Sequence, residues 1–545
     1  MNIQNIIMAL CLFCLAFPKV YSQDMSPTTS KVFPGANGKL MYIPDSAGNV
    51  IPDFSNAGYM GGGVPLPFVA VKETVWPVLG DNSALIQAAI DKVSALPLDE
   101  FGFRGAVLLK MGRYQLDKPI LIKASGVVLR GEGRSDLGTV LFGKIVPPEP
   151  NQDGRRRFRR PALIDIKGDE ATMIVENSRQ AIKDKFVPVG AKSFVVNSAA
   201  GFKVGDKVIV RRFGNEDWIK AIGLDSLTVG NNRWRPFDID YDRTVVAVKA
   251  NTITIDAPIF TAIDTRWGGG EIMKYEEKRI NNVGIENLRG VSEYDPAVRT
   301  SAYGNMDRGG MDGPNAYKGE EYFSDENHYF NFIDITNATN VWVRNMTALH
   351  FGSSVVQANA GTKYITVQDC ESWEPVSIRL GARRFTYQMN GQFCLVQRCF
   401  SQKGRHSFVL QGHGASGNVF LECEATHPYS SSEPHNHWAN GVLYDNVKAP
   451  LTARFWDFII GWAGANIVFW NCEGDFLVQS PPTAENYSFG HIGVNAVIFN
   501  QDLQDLTKPR GYIESLDKHV SPRSLYLTQL KDRLGVEAVN NIQRP

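Results

Sequence analysis

Between residues 283 and 499 short apolar runs recur and can be laid over one another: VGIENL (Val283 to Leu288), VWVRNM (Val341 to Met346), ITVQDC (Ile365 to Cys370), CLVQRC (Cys394 to Cys399), NVFLEC (Asn418 to Cys423), VLYDNV (Val442 to Val447) and IVFWNC (Ile467 to Cys472). From Met346 onward the sixth positions fall at 346, 370, 399, 423, 447 and 472, at intervals of 24, 29, 24, 24 and 25 residues. The runs have strand-like character and lack a 3.6-residue period, and a repeat of this length predicts coils that bury their apolar sides only against one another. The pattern therefore predicts a β-solenoid. Its sixth positions, Met346, Cys370, Cys399, Cys423, Val447 and Cys472, would stack into one interior ladder. Rung neighbours roughly 4.8 Å apart leave disulfide pairing geometrically open. Five cysteines in the mature chain, four of them at equivalent rung positions, favour free thiols acting as small buried hydrophobes.

Ahead of the repeats the pattern changes several times. Met1 to about Ser22 carries an apolar run (Ile6 to Phe17) followed by Val20-Tyr21-Ser22, which predicts an export signal and a secreted or periplasmic protein. The run is too short to cross a bilayer comfortably, and no later segment is long and apolar enough. Residues 23–75 read as an extended arm rich in Pro, Gly and Ser. Asp81, Asn82 or Ser83 then caps a helix over Ala84 to Ala95, whose Leu85, Ile86, Ala89, Ile90 and Val93 share a face suited to plugging the open end of a solenoid. Strand-like runs follow at Ala106–Met111, Ile120–Ile122 and Val127–Gly133, joined by turn-bearing links, so 76–150 holds the N-terminal cap and first coils. Residues 151–275 break the pattern and read as a β-rich insertion that opens on a basic run, GRRRFRRPA (Gly154 to Ala162). Residues 276–515 form the main solenoid, interrupted by a Gly-, Tyr- and charge-rich excursion at 291–330. GWAGAN (Gly461 to Asn466) reads as a tight turn, and residues 516–545 as a C-terminal cap over the far end.

The order GDNSALIQAAID, then GAVLLKMGRYQLDKPILIKASGVVLRGEG, resembles the opening of right-handed parallel β-helix proteins of the pectate-lyase-like superfamily, in which a capping helix precedes the first coil. The blocks GRHSFVLQGHGASGNVFLECEATHPYSSSEPHNHWANGVLYDNV, GWAGANIVFWNC and PPTAENYSFG are similar to those of secreted bacterial members. The resemblance covers roughly 80–145 and 280–500. It implies an all-β, right-handed parallel β-helix and, for function, a polysaccharide lyase, a glycoside hydrolase or a non-catalytic tailspike-like protein.

Charge narrows the partners. With 57 basic and 57 acidic residues the net charge is zero, so no long-range field points to nucleic acid or to a membrane surface. The repeat register selects candidate residues: four positions past the ladder lie His350, Glu374, Lys403 and His427, one ionisable column on successive rungs. Five of the nine histidines (His406, His413, His427, His435, His437) fall within 32 residues.

A strip of this kind along parallel rungs suits a linear polymer. Cleavage of a uronic-acid polysaccharide by β-elimination needs a cation on the carboxylate, a base for the C5 proton and an acid for the leaving oxygen. Arg405 suits the first role and His406, or else His435, the second; Lys403 or Tyr429 suits the third. Arg383, Arg384, Glu374, His350, His427 and His437 are candidate substrate contacts, with Tyr387 and Trp438 as flat faces for sugar rings.

Hydrolysis instead needs two carboxyl groups, for which Glu374, Glu433, Asp445 and Asp457 are available. A carbohydrate-binding β-helix without a base is the third reading. Glu433-Pro-His435-x-His437 offers imidazoles for a transition metal with no third ligand fixed by spacing, and no acidic cluster at 350–440 suits calcium, so the expected mechanism uses no cofactor.

Overall fold

A computed structural model describes residues 27–144, 161–229, 232–301, 319–456, 460–495 and 505–543. The expected signal (1–22), the arginines at 155–160 and Asp457 lie outside the described residues.

The chain winds into a parallel β-helix whose coils have three faces. The first face stacks Val71–Val75, Gly105–Leu109, Val127–Arg130, the front halves of Ile280–Ser292 and Ala338–Leu349, then Lys363–Gln368, Leu395–Gln397, Ser416–Leu421, Ala439–Asp445, Gly464–Trp470, Tyr487–Phe489 and Tyr512–Glu514. The second stacks Gly112–Leu116, Thr139–Gly143, the back halves of the two long strands, Glu371–Trp373, Phe400–Gln402 and Glu424–Thr426. The third stacks Ile120–Ile122, Ala162–Lys167, Asn331–Thr336, Val356–Ala358, Phe385–Met389, His406–Gln411 and Glu433–Asn436.

The periodic runs of the sequence are all strands of the first face. Its inward residues (Val396, Phe420, Tyr444, Phe469) enter the solenoid core, and its outward ones (Leu395, Val419, Leu443, Val468, Trp470) enter a second apolar cluster outside it. A strand buried on both sides reads as continuous apolar sequence, which is why these repeats stand out. Met346, Cys370, Cys399, Cys423, Val447 and Cys472 all lie in the interior cluster, and the five described cysteines are free thiols.

Two corners set the coil. Between first and second faces the left-handed residue is Asn287, Asn345, Asp369, Arg398, Glu422, Asn446 or Asn471. Asn and Asp fill most of these positions because their short polar side chains tolerate positive φ. After the second face the corner residues are His350, Glu374, Lys403 and His427, also at positive φ. The ionisable column is thus a real corner of the solenoid.

Helix α1 (Ser83–Ser94) lies against the opening strands, with Ile86, Ile90 and Val93 in the core and Leu85 turned to solvent. Gly112–Leu116, expected as part of a turn-bearing link, is a strand. The insertion is an antiparallel sheet of strands between Thr172 and Glu277, with helix α2 (Glu216–Ala221) at its side. Ala162–Lys167, assigned to the insertion from sequence, is a rung of the third face, since its alternating Ala162, Ile164 and Ile166 pack inward. The insertion docks on the corner between third and first faces. There Asp242 accepts from Lys363 Nζ, Arg279 Nη2 and Tyr275 Oη, each at 2.7 Å. Burial alone would raise that carboxyl, but the two cations outweigh it and hold it well below its ordinary range. Gly441, at φ 58°, makes the seat: a Cβ there would sit 2.1 Å from the Phe260 ring.

Helices α3 (Leu525–Leu534) and α4 (Val536–Gln543) do not cover the far end of the solenoid, contrary to the sequence expectation. They run back along the outside of the first face, where Asp445 accepts from Ser524 Oγ (2.7 Å) and Tyr526 N (2.8 Å) and Ile542 O accepts from Gln397. The apolar outward residues there require cover, and Leu525, Tyr526 and Leu530 supply it together with the N-terminal arm. GWAGAN also departs from expectation: Gly461–Trp462 and Gly464–Trp470 are strands.

Candidate functional site

The third face follows the corner column at irregular distances, and two of the clustered histidines, His406 and His435, lie on it. His406 opens one rung and Glu433–Asn436 forms the next. Glu433 is the hub. Its Oε1 accepts from His435 Nδ1 (2.7 Å) and Arg454 Nη2 (3.1 Å), and its Oε2 from Thr452 Oγ1 (2.6 Å), Ser431 Oγ (3.0 Å) and Arg454 Nε (3.1 Å). The carboxylate is fully buried, which would raise its pKa, but Arg454 and the two imidazoles outweigh burial and keep it ionised. The His406 and His435 rings lie 4.7 Å apart, with Phe385 edge-on to both.

The two histidines differ in access. A carboxylate only accepts, so His435 carries its proton on Nδ1 and directs the Nε2 lone pair away from Glu433. Its side chain is 11% exposed. His406 donates from Nδ1 to Ser431 O at 2.6 Å, is 1% exposed, and leaves Nε2 buried without a partner. Burial lowers both pKa values and Arg405 presses the same way, against the pull of Glu433, so each imidazole takes a second proton less readily than a free one. His406, the first choice as base, is sealed because its ring packs under Phe385 and beside His435; His435 has the open edge.

The remaining candidates divide. Arg405 is brought to the site: it is buried over Phe385, donates to Gly381 O and lies within electrostatic reach of both histidines. Lys403 and Glu374 face each other at 3.5 Å on the exposed corner, with His350 and His427 further along the same column. Arg384 is buried, donates to Ser377 O, and contacts Lys403 O. Arg383 is held bidentately by Glu326 (2.7 and 2.9 Å).

Four assignments fail. Tyr387 is sealed in the core, its hydroxyl donating to Cys370 O and Phe400 O, because its position points inward. Trp438 is buried against Trp218 of the insertion, so neither aromatic offers a face to sugar. Tyr429 is buried with its hydroxyl accepting from Arg379 Nη2 (2.6 Å), that guanidinium lying against the Tyr429 and Tyr322 rings, so it stands inside the fold and not at an open edge. His437 packs at a tilt against Trp234 rather than facing the way of His435, since the strand register shifts before it.

His406, Glu433 and His435 are the group of metal-ligating side chains among the described residues. The donor set does not suit a cation, since every oxygen of Glu433 is committed and Arg454 already balances its charge. Asp445, weighed as a hydrolytic carboxyl, instead anchors α3.

Several residues of the site were missed in the sequence. Arg454 and Thr452 lie one coil beyond Glu433, within reach of a register argument; Asp165 and Asp334 were beyond it. These two are partners on adjacent rungs of the third face, 169 positions apart because the insertion intervenes. Burial and the neighbouring Asp165 push Asp334 up to about 7, and burial raises Asp165 as well.

No family model matches the chain and no curated protein matches it. Solved structures similar to it include the tailspike of Acinetobacter baumannii bacteriophage AP22 in complex with A. baumannii capsular saccharide (11% identity, TM-score 0.34, covering 77% of this chain and 62% of that one). Others are the tailspike of E. coli bacteriophage HK620 in complex with pentasaccharide (9%, 0.37, 89% and 69%) and DFA-IIIase from Arthrobacter chlorophenolicus A6 in complex with DFA-III (10%, 0.29, 81% and 91%). The chain therefore spans less than two thirds of the first of these, and likeness at this level bears on neither activity nor ligand.

Proposed function

We propose that the protein is an exported carbohydrate-active enzyme that cleaves a uronic-acid-containing polysaccharide by β-elimination at the third face. The observation that carries this reading is the Glu433–His435 contact at the one partly open edge of an otherwise buried charge cluster. His435 Nε2, its tautomer set by Glu433, takes the C5 proton. Arg405 beside it balances the uronate carboxylate, so that charge developing at C5 forms next to a fixed cation. Lys403 on the adjoining corner is the available proton source for the leaving oxygen. The N-terminal apolar run would deliver the protein to where such polymers occur.

The runner-up is hydrolysis by Asp165 and Asp334. Adjacent rungs lie about 4.8 Å apart, close to the roughly 5–5.5 Å separation of retaining glycosidases, and a raised carboxyl beside a second one fits an acid and nucleophile. A panel of acidic polysaccharides decides between them. Elimination creates a conjugated double bond seen in the ultraviolet, hydrolysis gives reducing ends without it, and neither signal across the panel would favour a binding protein. For the first reading, His435→Ala lowers kcat about 10²–10⁴-fold; near-normal turnover by that variant removes His435 as the base.

A further inference from the structure

The third face holds more than its histidines. Asp165, Asp334, Gln357, Gln388, Val409 and Glu433 are successive register partners, one per rung. Their strand neighbours Ile164, Ile166, Ile333, Ile335, Val356, Ala358, Tyr387 and Met389 are in the core, so this column points outward. From Asp165 to Glu433 is five rung steps, roughly 24 Å at about 4.8 Å each. The column ends at Glu433, beside His435; Val409 and Glu433 are fully buried, so the part that solvent reaches runs from Asp165 to Gln388.

The chemistry along it is hydrogen-bonding, with a carboxyl pair at one end and amides beyond it. Asn331 Nδ2 donates to Asp334 (2.9 Å) and Gln357 Nε2 to Asn359 (2.7 Å), each with further capacity. Gln388 is the telling residue. It is 8% exposed, its amide makes no hydrogen bond among the described residues, and its polar atoms lie on the part that solvent reaches, open to a ligand. A side-chain amide offers two donors and an acceptor, the complement of a sugar hydroxyl pair. Asp165 and Asp334, by contrast, would repel any carboxylate laid over them, and the nearby cation, Lys167, is on the exposed end of its strand.

We infer that the third face from Asp165 to Gln388 is a row of subsites for uncharged sugar residues, so that the polymer carries uronates interspersed with neutral sugars rather than in unbroken succession. This rests on the elimination reading for the polymer's direction and its uronate, and adds the composition of the remainder. Repulsion from the aspartate pair rejects a homopolyuronate, while Gln357 and Gln388 reward hydroxyls in register with the rungs.

The test is affinity electrophoresis of the full chain at pH 8 through gels containing hyaluronan or unsulfated chondroitin, in which uronate alternates with an uncharged sugar, or polygalacturonate, which is uronate throughout. At least one alternating polymer retards the protein with an apparent Kd tenfold or more below that for polygalacturonate. Gln388→Ala and Gln357→Ala each weaken that retardation several-fold, and the double variant Asp165→Asn/Asp334→Asn gains affinity for polygalacturonate. Equal or stronger retention by polygalacturonate, no retention by either alternating polymer, or wild-type retardation in both glutamine variants overturns the inference. Cleavage separates it from the reading it rests on. Retention as described without double-bond formation leaves the subsites and removes elimination; His435-dependent elimination of polygalacturonate in preference to the alternating polymers does the reverse.

Discussion

The first and third faces of the solenoid are built from the same kind of strand, yet their outer sides have opposite fates. Outside the first face, Leu395, Val419, Leu443, Val468 and Trp470 lie beneath the N-terminal arm and the C-terminal helices. Outside the third, Asp165, Asp334 and Gln357 stay partly open, and Glu433 and His435 sit in a polar cluster. Coil geometry is common to both, so what differs is which outward side chains the chain covers with its own ends. The covered face gives rigidity, and the uncovered one is free to carry chemistry.

That contrast can be tested from either side. Glu433→Ala should have the largest effect on stability. It leaves Arg454 buried and unpaired, and breaking one side of a buried pair costs about 3–5 kcal/mol, readable as a lowered denaturation midpoint. An unchanged midpoint would mean that the polar cluster is not part of the folded framework. Next is Leu443→Ala on the covered face, where a fully buried leucine facing α3 should cost about 2–5 kcal/mol by the same measurement. A much smaller loss would show that the terminal segments rest on the face without packing into it. Smallest is the pH effect of Asp334. Its folded carboxyl is raised to about 7, so between its ordinary value and that point the folded state holds the extra proton. Stability therefore falls as pH rises through this window, and Asp334→Asn should flatten that slope in thermal midpoints measured from acid to neutral pH.

The same contrast explains what could be read from the sequence. Strands buried on both sides announced themselves as apolar repeats, and from them the solenoid, the interior thiols and the corner column His350–Glu374–Lys403–His427 follow directly. Third-face strands such as Phe385–Met389 and Glu433–Asn436 are short, half polar and start at irregular distances from the repeat, so their register could not be counted. For that reason counting past Cys399 and the density of histidines point to His406 without showing its burial, and Tyr387 and Trp438 are expected on a surface where neither lies. The Asp165–Asp334 pair was beyond reach, because two neighbours separated by an entire inserted sheet leave no trace in local spacing.

The strap formed by the two chain ends has one more consequence. In most stacked-coil proteins each repeat touches only the next, so coils peel away from an end one at a time. Here Tyr59 bonds the coil of Thr366, Gly58 that of Phe393, Tyr526 that of Asp445 and Pro522 that of Trp470, while the arm and α3 hold each other through Tyr526 to Ala57 and Gln529 to Pro52. Such a splint ties distant coils into one mechanical unit, so that the stack would melt as a block rather than unzip.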